Sequence, residues 1–262
     1  MAEKKSKKVS VIEKIATLPE IVAEFLGTFG LSFAVLASAK AAAGAGIVGQ
    51  YNSLDKTVET MQKLGTDPAS GATVTASTFV IATGVIAAFT LAIFVLTIGK
   101  VSGSNINPAV TFSLWASGQT KTMKAISYML AQFAGAFAAF AVSTRFLPSQ
   151  AFSGFVATGS WSLFSAEAIG AMIFVFGVTN AVLNKKEGIE AALTVGGSLF
   201  LGIVFAGFVA GAGILNPAVA LATKSFSWAH VAGPLVGSLV GAFVAHFLNG
   251  KQKEFSFFGL NK

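Results

Sequence analysis

Five long segments of this chain, 73–98, 125–142, 162–183, 191–215 and 226–248, are almost free of charge. An α-helix needs about 20 residues to cross roughly 30 Å of hydrocarbon. These segments have that length or more, and a further apolar run begins near Pro19 and ends near Ala39. Only 11% of the residues are charged, against roughly a quarter in a soluble domain. Buried soluble helices rarely come in such lengths and numbers. A membrane barrel needs shorter alternating segments, and none dominates. The chain therefore reads as an all-α integral membrane protein with the lipid bilayer as its first partner.

Composition removes several other classes. There is no cysteine, so thiolate and disulfide chemistry are excluded. His230 and His246 are far apart and have no acidic companions in sequence, so neither a metal site nor a cofactor is expected. No nucleophile–base pair, paired catalytic carboxylates or phosphate loop stands out, which argues against an enzyme. The net charge of +7 comes largely from clustered lysines, five of them between residues 4 and 14. No aromatic residues interleave them as base-stacking platforms would require, so nucleic acid is not an expected partner.

These lysines fit the rule that basic flanks stay on the cytoplasmic side. With both termini cytoplasmic, all but five of the 18 basic residues fall on that side or its edge; the exceptions are Lys40, Lys56, Lys63, Arg145 and Lys224. No short apolar stretch with a cleavage site opens the chain, so the first span is expected to be retained in a cell or inner membrane.

Within this apolar background the triplet Asn-Pro-Ala occurs twice, at Asn107-Pro108-Ala109 and Asn216-Pro217-Ala218, and a valine follows each copy. Proline suits the first turn of a helix, where its missing N–H is not needed. Asparagine before it is a good cap. Each triplet opens an apolar piece, 108–117 or 217–223, too short to span. The surrounding segments also repeat. Ala23-Glu24-Phe25-Leu26-Gly27 matches Ala166-Glu167-Ala168-Ile169-Gly170, and Gln132–Phe137 matches Ser238–Phe243.

The expected organisation is a basic tail over 1–18, a first repeat over 19–143 with a long external loop at 40–72, a linker over 144–161, a second repeat over 162–249 and a tail over 250–262. Three spans per repeat is an odd number, so the second repeat enters the membrane from the opposite side. The two short helices then dip in from opposite faces and meet near the middle.

That meeting point places unsatisfied N–H groups and two positive helix ends at the bilayer centre. Asn107 and Asn216 can each offer amide donors to a passing solute beside an apolar wall. Glu24 and Glu167 stand early in equivalent spans, where a bare carboxylate is costly. They are expected to accept N–H bonds from segments 101–106 and 210–215, bracing the dipping loops; proton relay is the rival role. Gly135, Gly233, Gly237 and Gly241 recur at helix spacing and permit close packing. Trp161 and Trp228 begin spans as interfacial anchors.

Four stretches, Ser102–Thr111, Ala23–Thr28, Asn216-Pro217-Ala218 and Gly233–Gly237, give the chain a resemblance to the major intrinsic proteins, the aquaporin and aquaglyceroporin family, over about residues 20–248. The resemblance implies a right-handed bundle of six transmembrane helices plus two half-helices, a pore in each subunit, a homotetramer, and passage of small neutral solutes without a cofactor. The chain departs from the family pattern where it has Asn105 in place of a histidine and Val219 in place of an arginine.

Family spacing puts the narrow outer constriction near Ala87, Val204, Gly213 and Val219, a small, apolar, uncharged set. Lys224 is the remaining candidate for a positive charge in the outer vestibule; snorkelling to the interface is the plainer role. The functional expectation is a passive channel for glycerol, urea, ammonia or dissolved gas, with water also a candidate. An ion channel of the same fold and a structural protein with an occluded pore are the alternatives.

Overall fold

Each apolar run is a helix. The structure, a computed structural model, describes residues 15–44, 68–146, 159–211, 213–252 and 255. Most of the expected external loop 40–72, the middle of the linker and most of both tails lie outside the described residues.

The helices in chain order are α1 (Leu18–Gly44), α2 (Pro68–Ser102), α3 (Pro108–Ala116), α4 (Thr122–Phe146), α5 (Trp161–Leu183), α6 (Gly188–Ala210), α7 (Pro217–Ala222) and α8 (Trp228–Leu248). No strand occurs among the described residues. Six of these helices are long and apolar enough to cross a membrane, and α3 and α7 are the two half-helices.

Several ends differ from the sequence reading. The second span runs on to Ser102, with Lys100 in its last turn, where a cation complements the helix dipole. Gly103, at φ +90°, then ends the helix. Helical structure also enters both ends of the expected linker, up to Phe146 and from Trp161.

Packing follows the repeat. α1 packs on α2 and α4, and α5 on α6 and α8. The halves join through α2 against α6, and through each half-helix crossing to the other repeat: α3 lies against α8, and α7 against α4. This is the inverted repeat that the odd span count required.

Glycine permits the closest of these contacts. A Cβ on Gly135 would collide with the Phe25 carbonyl oxygen, and one on Gly237 with the Ala168 carbonyl oxygen. Phe25 and Ala168 follow the paired glutamates. Gly135 is therefore the counterpart of Gly237. The sequence match had paired it with Gly241, one helical turn further on. Gly241 packs instead against the Met172 carbonyl oxygen.

Candidate functional site

The two Asn-Pro-Ala triplets are helix starts in local detail. Asn107 is extended at φ −153°, ψ 122°, and its Oδ1 accepts from Ala109 N. Asn216, at φ −145°, ψ 105°, accepts from Ala218 N and Val219 N. In each case the proline is the first helical residue and needs no N–H partner.

The residue before each asparagine is held in the left-handed region, Ile106 at φ 39° and Leu215 at φ 56°. Both are fully buried. A non-glycine residue there costs about 1–3 kcal/mol unless its surroundings over-determine it. The glutamates provide that determination. Glu24 accepts from Asn105 N at 3.0 Å and Ile106 N at 2.7 Å, and Glu167 from Ile214 N at 2.8 Å and Leu215 N at 2.7 Å.

The loops then clasp one another. Asn107 Nδ2 donates to the Leu215 carbonyl oxygen at 2.9 Å, and Asn216 Nδ2 donates to the Ile106 carbonyl oxygen at 3.1 Å. A primary amide has two N–H donors, so this clasp uses one from each asparagine and leaves one. Both asparagines line a cavity of about 20 Å³ whose walls include Leu31, Val35 and Val219. A second, larger cavity, of about 280 Å³, has Val95, Val178, Lys100, Lys186 and Glu187 in its lining. The site is two half-helix starts with spare amide donors, set in a mainly aliphatic wall.

A sequence profile for the family described as Major intrinsic protein matches residues 10–247. The chain belongs to the major intrinsic protein family. It is 32% identical over 170 residues to lens fiber major intrinsic protein of Rattus norvegicus, covering 58% of this chain and 63% of that protein. It is 33% identical over 168 residues to the Cavia porcellus protein of the same name, with the same coverage. It is 28% identical over 166 residues to aquaporin NIP1-3 of Oryza sativa subsp. japonica, covering 60% of this chain and 58% of that protein. The chain thus spans somewhat under two thirds of the length of these relatives.

In this major intrinsic protein Ala87, Gly213 and Val219 line the smaller cavity, while Val204 does not. Its neighbour Ile203 is buried and takes the place in the wall. One residue rotates a helix position by about 100°. Here α6 ends at Ala210 and a left-handed Gly211 follows.

Lys224 lies just past the end of α7. It is absent from the cavity lining, and its ammonium lies 5.2 Å from the centre of the Phe140 ring. The chain leaves α7 at Thr223, and Lys224 itself is left-handed at φ 60°.

Three groups of residues were missed. Thr83 and Leu91 line the cavity with Ala87, at spacings of four along α2. Helical periodicity around Ala87 was the available signal. Gln132, a fully buried polar residue in an apolar span, donates to Glu24 Oε2 at 2.7 Å and Thr111 Oγ1 at 2.8 Å. Phe174, seven residues after Glu167, lines both cavities.

Proposed function

We propose that this protein is a passive transmembrane channel for small neutral solutes, of the glycerol, urea, ammonia or dissolved-gas class, with water as a further candidate. The observation that carries this reading is the reciprocal clasp. It brings two amide-capped helix starts together and leaves one N–H donor on each asparagine beside aliphatic walls. A neutral solute shed of water can recover hydrogen bonds on one side and slide past hydrocarbon on the other. A cation meets two helix N-termini and finds no carboxylate in the lining of the smaller cavity.

In this reading Asn107 and Asn216 are the solute-binding donors, and Pro108, Ala109, Pro217 and Ala218 set the helix starts. Glu24 and Glu167 brace the loops. Ala87, Gly213 and Val219, with Ile203, form an outer constriction without fixed charge. The chain is placed with both termini cytoplasmic and assembles as a homotetramer with a path in every subunit.

The test is stopped-flow light scattering on proteoliposomes. Purified full chain should accelerate equilibration of at least one of water, glycerol, urea and ammonia over protein-free vesicles. No acceleration for any of the four overturns the reading. Steady current under an ion gradient would favour the ion-channel alternative.

A further inference from the structure

We infer that solute selection is made at Phe174, where the two cavities abut, rather than at the outer positions Ala87, Gly213 and Val219. This rests on the channel reading and names what that channel admits. Leu91, Asn105 and Phe174 are the three residues that line both cavities. A solute moving from one cavity to the other would pass among them. Phe174 is 2% exposed and Leu91 1% exposed, so little open surface remains on either. The outer positions carry hydrogen, methyl and isopropyl side chains, and no charge. At the junction a whole phenyl ring stands in the lining.

Both sides of the junction are anchored. Phe174 lies two helical turns beyond Glu167 on α5, and Glu167 is tied by two backbone N–H groups to the second loop. Asn105 is tied through its backbone N–H to Glu24 and through Nδ2 to Thr111 Oγ1 at 3.2 Å. An amide oxygen is an acceptor. The junction thus sets a phenyl and an isobutyl group beside one amide.

That combination suits a slim solute with an N–H or O–H donor, namely ammonia, water or urea. It disfavours straight-chain polyols, which carry several hydroxyls past hydrocarbon with one amide to receive them. The phenyl ring of Phe174, the bulkiest side chain shared by the two linings, sets the sieve at the junction rather than among the small side chains of Ala87, Gly213 and Val219.

The experiment compares wild type, Phe174→Ala, Phe174→Leu and Ile203→Ala in proteoliposomes, reading water, ammonia, urea, glycerol and erythritol. Phe174→Ala should raise the glycerol-to-water permeability ratio by at least about tenfold, the scale set by removing several carbons from an apolar pocket. Phe174→Leu, which keeps more of the packing, should move the ratio the same way and guards against misfolding of the alanine variant. Ile203→Ala should move it less.

An unchanged ratio in the Phe174 variants, with a conducting wild type, overturns the inference and leaves the channel reading intact. A larger change in Ile203→Ala also overturns it. A wild type closed to every solute, opened by Phe174→Ala, defeats the resting-channel reading but supports Phe174 as the barrier. Wild type and all variants closed would overturn both.

Discussion

His230 Nε2 lies 3.8 Å from Glu167 Oε1, and both side chains are fully buried. At that separation no hydrogen bond forms, and Nε2 has no hydrogen-bond partner among the described residues. The other ring nitrogen meets Ser227 Oγ at 3.0 Å. The two braces therefore differ. Glu24 has the Gln132 amide as a further donor, whereas at Glu167 an imidazole stands just out of reach.

This difference predicts opposite sensitivities. Gln132→Leu removes donors from Glu24 and Thr111, and should lower stability by about 1–3 kcal/mol. His230→Leu, of similar volume, removes a buried imidazole and leaves half-buried Ser227 and the Ser225 backbone without that partner. Its effect should stay within about 1 kcal/mol. Thermal unfolding of the two variants in detergent, read by intrinsic fluorescence, checks the ranking.

Replacing either glutamate should harm folding more than transport per folded molecule. In Glu24→Gln or Glu167→Gln one acceptor oxygen becomes an NH₂ group facing a backbone N–H donor. Hydrogen bonds to a charged group are worth about 1.5–3 kcal/mol each, and the left-handed residue beside each loop loses its restraint. Size-exclusion chromatography should show a reduced monodisperse peak for both variants. Full yield together with abolished solute flux would instead support a proton-relay role.

Gly237→Ala should weaken the α5–α8 interface. The added methyl would overlap the Ala168 carbonyl, which is backbone and cannot rotate aside. Overpacking of this kind costs about 1–3 kcal/mol. Gly197→Ala is the comparison, because a Cβ there meets nothing within 4 Å. A lower melting temperature for the first variant and none for the second is the expected outcome.

Val219→Arg should restrict the outer cavity. Val219 is 3% exposed and lines that cavity. A guanidinium there adds up to five N–H donors, a fixed charge and bulk. Glycerol flux should fall by about tenfold, equivalent to ~1.4 kcal/mol on the barrier, with water flux falling less. Equal losses for the two solutes would count against any size discrimination at this position.

The parts legible in the sequence were those written locally. Proline at the first helical position and asparagine before it announce a helix start without tertiary information. Charge-free length announces a span. Register between long helices is not written locally. Small residues spaced four apart give the same pattern when one helix slides a turn along another, which is why Gly135 was matched to Gly241 and packs as the counterpart of Gly237. The rotation of a helix about its axis is not written locally either, and Ile203 rather than its neighbour Val204 lines the cavity. Phe174 is one of 25 phenylalanines, and only its spacing from Glu167 set it apart.

The reciprocal clasp also sets an order of events during synthesis. The partner of the Asn107 amide is the Leu215 carbonyl, 108 residues later in the chain. At a synthesis rate of roughly 5–20 residues per second, that partner emerges about 5–20 s after the asparagine. Until then the first half-helix must wait in the translocon, at the lipid boundary or beside a chaperone, with its tip uncapped on one side. Neither half of the molecule can close its own centre, so the path is completed only after Leu215 has been made.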